Sequence, residues 1–145
     1  MPQSAVMKCE AAISGATMTQ HCDVRSQRIS LGDDGIVRMT MQPGVYDLEL
    51  TDAREVIQAV NSLSGGVRRP VLVDLREVRS MSRDCRKYFA GPETAAAEAA
   101  AALLVVSPIA RAIGNFFMGL NKPLLPTRLF TSEADALTWL RGFVT

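Results

Sequence analysis

The stretch PVLVDL, residues 70–75, is the clearest indication of the fold of this chain. It is almost entirely apolar, which is typical of a β-strand that is covered on both faces. A second run of this kind is ALLVV, residues 102–106, and TRLF, residues 127–130, is a shorter third. Helical patterns separate the three runs. We therefore expect a parallel sheet whose strands are joined by right-handed crossovers.

The sequence before this core predicts an antiparallel hairpin. The turn signal GDDG, residues 32–35, lies between a weakly alternating segment, residues 24–31, and a clearly alternating one, residues 36–41. Pro43-Gly44 marks another turn. The alternation over residues 46–50 then indicates a short strand or an extended entry to a helix.

Helices are predicted where apolar residues recur at spacings of three and four. Helices are expected over residues 51–64, 82–90, 108–120 and 133–143. Their expected capping residues, in the same order, are Thr51, Ser82, Ser107 and Ser132. Gly91-Pro92 interrupts the second helix, which continues over residues 93–100. The fold class is therefore α/β, with a mixed, mainly parallel sheet, an N-terminal hairpin and about four helices.

Length and composition limit the domain organisation. A chain of 145 residues has room for one domain. Residues 1–21 show no sustained strand or helix period, so we expect a mobile N-terminal tail followed by a single domain over residues 22–145. With 48% hydrophobic residues and 16 basic against 15 acidic side chains, the chain is neither disordered nor a polyelectrolyte.

Cysteine usage and hydropathy favour a cytoplasmic protein. Cys9, Cys22 and Cys85 are scattered and odd in number, which makes a poor disulfide framework and favours a reducing setting. No basic segment followed by an apolar run begins the chain, so no secretory signal is expected. The longest charge-free apolar segment, residues 99–110, is too short to span a bilayer.

The segment VDLREVRSMSRDC, residues 73–85, carries a family resemblance. Together with the predicted order of elements, it resembles the STAS domain, the fold of bacterial anti-sigma-factor antagonists such as SpoIIAA. In that family the strand ends in Asp-Leu or Asn-Leu, and an apolar residue precedes Asp-Ser-Ser-Gly at a helix start. Met81 matches the apolar residue, and SRDC at 82–85 replaces the motif. The later sequence, residues 107–130, is similar to uncharacterised bacterial SpoIIAA-like proteins.

The resemblance implies a non-enzymatic regulatory or protein-interaction domain. In the antagonists a partner kinase phosphorylates the second serine of the motif, and Asp84 holds that position here. The phosphoacceptor serine is therefore missing. Asp84 could supply a permanent negative charge at this position, or Ser80 or Ser82 could be modified instead.

Basic residues concentrate around the same segment. From Arg68 to Lys87 there are seven basic and three acidic residues, in a chain whose net charge is +1. No nucleic-acid-binding module accompanies them, so the expected partner is an anti-sigma-factor-like or other regulatory protein with an acidic surface. The predicted partner-binding residues are Arg76, Arg79, Ser80, Ser82, Arg83, Asp84 and Lys87.

An alternative function is binding of a small anionic metabolite or a lipid headgroup. Ligands of open α/β sheets bind beyond the carboxyl ends of the parallel strands, where the helix N-termini near Ser82 and Ser107 would favour an anion. Arg111 would add a cationic partner. In the opposing interpretation, the serines only cap their helices and the arginines are solvated.

Catalytic constellations are scarce. His21 is the only histidine, and no second one exists to activate Cys85, so we predict no catalytic residue, no metal site and no cofactor. Phe116 and Phe117 are adjacent on a helix and cannot both point directly inward. One of them could therefore lie at a homodimer or partner surface, unless both are buried under the loop over residues 121–126.

Overall fold

The computed structural model describes residues 8–14, 17–119 and 123–145 of the chain. Within these residues the elements, in chain order, are β1 (Lys8–Ser14), β2 (Thr17–Asp23), β3 (Gln27–Leu31), β4 (Val37–Met41), β5 (Asp47–Leu48), α1 (Leu50–Ser64), β6 (Arg69–Asp74), β7 (Ser80–Met81), α2 (Arg83–Phe89), α3 (Pro92–Ala97), β8 (Glu98–Leu104), α4 (Pro108–Gly119), β9 (Thr127–Phe130) and α5 (Glu133–Arg141).

The main sheet has the strand order β1-β2-β3-β4-β6-β8-β9. Strands β1 to β4 pair antiparallel, and β4, β6, β8 and β9 pair in parallel. The predicted α/β class, with a mixed sheet and an N-terminal hairpin, is confirmed. The predicted second helix and its continuation are two helices, α2 and α3, which meet at Ala90-Gly91.

Helices cover both faces of the sheet. On one face, residues of α1 to α4 join two clusters of buried side chains that include Val71 of β6. On the other face, Ala136 and Leu140 of α5 pack in a cluster with Leu72. Neighbouring residues of β6 are therefore buried on opposite faces of the sheet. A central strand that is covered on both faces needs apolar side chains at successive positions, which explains the apolar run.

The N-terminal part of the chain differs from the predicted tail over residues 1–21. Residues 8–14 form β1 and residues 17–23 form β2, so the expected domain start at residue 22 falls inside a strand. Strands β2 and β3 pair antiparallel and form a further hairpin. Strand β3 begins at Gln27, whereas the predicted strand began at residue 24. These strands are held by pairing with their neighbours, which a search for periodicity does not detect.

The prediction that the cysteines form no disulfide is wrong for two of them. Cys9 on β1 is directly opposite Cys22 on β2, and a disulfide joins them. Antiparallel pairing brings together residues that are 13 positions apart in the sequence, which their spacing alone does not show. The argument from cysteine usage for a reducing setting therefore fails, and the cytoplasmic location stays a prediction.

Strand β8 begins at Glu98, four residues before the predicted start, and residues 98–100 are not helical. Alanine favours helices, but pairing between β6 and β9 overrides that preference. Ala100 and Ala102 lie against α5, where their small side chains leave room for the helix.

No helix of the described residues is long and apolar enough to cross a bilayer.

Helix α1 starts with a capping box at Glu49, instead of the predicted cap at Thr51. The Glu49 amide donates to Asp52 Oδ2 at 2.9 Å. Arg25, in the turn after β2, donates to both Asp52 carboxylate oxygens at 2.8 and 2.6 Å. Asp52 is buried, and its hydrogen bonds raise the pKa of the Arg25 guanidinium. The Asp52 carboxylate therefore joins the first turn of α1 to the turn between β2 and β3.

We expect Asp52→Ala to lower the free energy of unfolding by about 2 kcal/mol, because it removes the acceptor of the Glu49 amide in the capping box and the partner of Arg25 together. Denaturant unfolding measures the change. Asp33→Ala, at an exposed turn position, is the matched control and should change stability by less than about 0.5 kcal/mol. Equal losses in the two variants would contradict the role given to Asp52.

Glu98 is the buried ionisable group of β8, with 2% of its surface exposed. Burial raises its pKa from 4.5 to about 8. Between these two values the folded protein keeps a proton that the unfolded chain has lost, so the free energy of unfolding falls as the pH rises through this window.

Glu98→Gln should remove this pH dependence. From about pH 5 to about pH 8, the wild type should lose on the order of 3 kcal/mol more stability than the variant. Urea unfolding at several pH values measures the difference. If the curves of the two proteins run parallel, Glu98 is not protonated in the fold.

Candidate functional site

The candidate site is the loop-helix surface, which we define as residues 76–87, between the end of β6 and the middle of α2. The Leu75 amide donates to Leu104 O at 3.0 Å, and the Val105 amide donates to Phe130 O at 2.8 Å. The carboxyl ends of β6, β8 and β9 are therefore adjacent. The loop-helix surface leaves the sheet at the edge where ligands of open α/β sheets bind.

Apolar residues at spacings of three and four fix this segment to the core. Leu75, Val78, Met81 and Cys85 are all buried in one cluster. The side chains between them face outward. The exposed residues are Arg76, Glu77, Arg79, Ser80, Arg83, Asp84 and Lys87. Of the predicted partner-binding residues, only Ser82 is half-buried.

A second anchor is the pairing of β7 with β5, which form a separate parallel pair. The Arg79 amide donates to Tyr46 O at 2.7 Å, and the Ser82 amide donates to Leu48 O at 3.0 Å. Backbone hydrogen bonds on each side of β7 therefore hold the loop in one conformation.

Two side-chain contacts extend this pairing to residues that the sequence did not identify. Ser80 Oγ donates to Asp47 Oδ1 at 2.5 Å. The Arg79 guanidinium lies 4.2 Å from the centre of the Tyr46 ring, a cation–π contact. In the sequence, only the alternation over residues 46–50 indicates a strand here. It does not show that this strand pairs with Ser80 and Met81.

Some basic residues of the loop-helix surface already have partners within the chain, so fewer of them can meet a partner protein than their number in the sequence indicates. Arg76 forms a two-point ion pair with Asp74, at 2.9 and 2.7 Å, which raises the pKa of the Arg76 guanidinium. Arg86 donates to Met81 O. In the described part of the chain, Arg79, Arg83 and Lys87 make no ion pair. These three residues supply the positive charge that a partner can meet, beside the exposed carboxylates of Glu77 and Asp84.

Ser82 and Asp84 occupy the start of α2. Ser82 Oγ accepts a hydrogen bond from the Cys85 amide at 3.2 Å, so the predicted cap is confirmed. Asp84 is exposed in the first helical turn, where its negative charge is favourable to the helix. A carboxylate therefore stands where the resemblance places the phosphoacceptor.

The residues of the predicted anion site have local roles. Ser107 Oγ accepts from the Ala110 amide at 3.0 Å, which caps α4 as Ser82 caps α2. Arg111 is exposed on α4. Because both hydroxyl groups satisfy amides of their own helices, anion binding at these residues stays a prediction.

No catalytic arrangement emerges from the described residues. Burial raises the pKa of the Cys85 thiol to about 12, with Asp52 and Glu49 adding to the shift, so the thiol stays protonated. Among these residues no group of His, Cys, Asp and Glu could hold a metal ion. The side chains of Phe116 and Phe117, of which one was expected at a homodimer or partner surface unless both are buried, lie outside the described part.

The strand order and the helices between the parallel strands define an α/β domain with a mixed, mainly parallel sheet. The chain belongs to the family described as "Domain of unknown function (DUF7793)", whose model matches residues 29–144. It is 35% identical to a protein of unknown function from Arthrobacter sp. FB24, over 77% of this chain and 90% of the other, with a TM-score of 0.28. No curated protein is significantly similar in sequence.

Two further solved structures are similar over almost the whole chain. An uncharacterised protein of the DUF3478 family with a SpoIIAA-like fold, from Shewanella loihica PV-4, is 13% identical over 97% of this chain and 98% of the other, with a TM-score of 0.49. An anti-sigma factor antagonist from Mycobacterium paratuberculosis is 16% identical over 94% and 95%, with a TM-score of 0.47. These similarities concern the course of the backbone and carry no statement on function.

Cys85 should be unreactive in the folded protein. Because its thiol is buried and protonated, we expect Ellman's reagent to modify it on the order of 100-fold more slowly in the native than in the unfolded chain. The control is an exposed thiol on α1, introduced as Ser62→Cys with Cys85→Ser, which should react at once. Rapid modification of native Cys85 would show that the segment opens readily.

Proposed function

We propose that this protein is a non-enzymatic interaction domain that binds a protein partner through the loop-helix surface. The observation that carries the proposal is the set of exposed cations Arg79, Arg83 and Lys87 on a segment anchored by buried residues. These three cations outnumber the exposed carboxylates of Glu77 and Asp84 on the same surface, and an excess of positive charge steers association with an acidic surface and speeds the encounter.

The anchoring of the segment supports binding of a partner. A loop that is already ordered loses little conformational entropy when a partner binds to it. The hydrogen bonds between β5 and β7, and the buried side chains of Val78 and Met81, supply that order before binding. The surface is thus a preformed one.

The sequence resemblance adds a proposed regulatory role, in which the partner is an anti-sigma-factor-like or other regulatory protein. Asp84 would present a constant negative charge where the antagonists carry a switchable one. Ser80 is the exposed serine of the surface, but a phosphate there would meet the carboxylate of Asp47. Regulation at Ser80 would therefore break the contact between β5 and β7.

Charge reversal tests the surface. Purified, tagged wild-type protein should retain a partner from a lysate of its source organism, and Arg79→Glu/Arg83→Glu should lose it. The matched control is Arg54→Glu/Arg141→Glu, which makes the same change at exposed positions of α1 and α5. The control should retain the partner.

Salt dependence gives a second readout of the same proposal. If the cations steer association, the association rate of the isolated complex should fall steeply between low and physiological ionic strength. An unchanged set of partners in Arg79→Glu/Arg83→Glu, or loss of binding in both double variants, would overturn the assignment to this surface.

A further inference from the structure

Strand β1 lies at the edge of the main sheet, and in the described part of the chain it pairs with β2 alone. The two strands pair from Lys8, opposite Asp23, to Ser14, opposite Thr17. Strand β3 pairs with β2 over the shorter range from Gln20 to Asp23. The half of this hairpin that lies nearest its turn is therefore a two-stranded ribbon, which is marginally stable on its own.

The disulfide between Cys9 and Cys22 links this edge strand to the core. Cys22 is buried, with 0% of its surface exposed, in a cluster with Val56 and Val60 of α1. Cys9 is exposed. The link therefore has one end inside the core and the other on the surface. Because it closes a loop between residues 13 positions apart, it favours the paired state of β1 on the order of 100-fold.

The third cysteine does not take part in this link. Cys85 is buried in a different cluster of the core from Cys22. Burial raises the pKa of its thiol to about 12, and only a thiolate attacks a disulfide. The bond between Cys9 and Cys22 therefore opens to a thiol that arrives from solution, and its accessible end is Cys9.

We propose that the Cys9–Cys22 disulfide is a redox switch, which a dithiol reductant opens so that β1 leaves the sheet while the strands from β3 onward keep their fold. A thiolate of the reductant attacks the Cys9 sulfur, the bond to Cys22 breaks, and Cys22 leaves as a thiolate that takes up a proton. The second thiol of the reductant then displaces Cys9, which is protonated in turn, and the reductant becomes a disulfide. Two electrons and two protons pass to the protein.

The burial of Cys22 explains why the rest of the fold would persist. A free cysteine packs as a small apolar side chain, so the reduced Cys22 can stay against Ile29 and Val37. Strand β1 then depends on its pairing with β2. When β1 leaves, backbone groups of β2 are uncovered, and an uncovered strand edge can pair with another chain. The switch therefore controls whether this edge of the sheet is covered, independently of the loop-helix surface.

Hydrogen exchange of the full chain, followed by mass spectrometry, tests the proposal. Dithiothreitol should speed exchange of residues 8–14 on the order of 100-fold, whereas residues 69–74 of β6 should exchange at an unchanged rate. Oxidised glutathione, added after dithiothreitol is removed, should restore the protection. Cys85→Ser is the matched control and should respond to reduction like the wild type.

A second variant and a labelling experiment separate the switch from a general support of the fold. Cys9→Ser should exchange like the reduced wild type in the absence of reductant. In reduced Cys85→Ser, a maleimide should label Cys22 at least about tenfold more slowly than Cys9, because Cys22 stays in the core.

Three results would overturn the proposal. The first is three free thiols in the wild type after treatment with oxidised glutathione. The second is equal exchange of residues 8–14 in the two redox states. The third is loss of protection in β6 on reduction, or labelling of Cys22 as fast as Cys9, since either would show that the disulfide supports the whole domain.

Discussion

Strand β6 pairs in parallel with a neighbour on each side, and this pairing sets the layout of the surrounding elements. Val71 and Leu72 are buried on opposite faces of the sheet, so both faces must be covered. Because a parallel strand cannot be reached through a tight turn, the chain leaves β6 through a long connection. The first part of that connection is the loop-helix surface, whose place at the carboxyl edge of the sheet follows from this pairing.

Local signals in the sequence predicted much of the fold. Ser82, Ser107 and Ser132 accept hydrogen bonds from amides three residues on, because a hydroxyl group at a helix start needs only its own next turn. The buried face of α1, including Val56 and Val60, follows from the helical repeat in the same way. Such features depend on few neighbouring residues, so a sequence pattern contains them.

Features set by distant residues could not be predicted in this way. The alanines of β8 have a helix preference that only the neighbouring strands override. Tyr46 and Asp47 enter the candidate site through a strand pair more than 30 positions apart in the sequence. The sequence therefore predicts a position for the site along the chain, whereas the contacts that support this segment, and the ion pair that offsets the charge of Arg76, required three-dimensional structure.

The side chains that the alanine-rich strand β8 places against α5 are small. Ala100 and Ala102 bring α5 close to the sheet, where it packs through Ala136 and Leu140. A larger residue on this side of β8 needs a smaller one on α5 to keep interior packing dense. During divergence these two elements can therefore change size only together, whereas the exposed side chains of the loop-helix surface can vary one at a time.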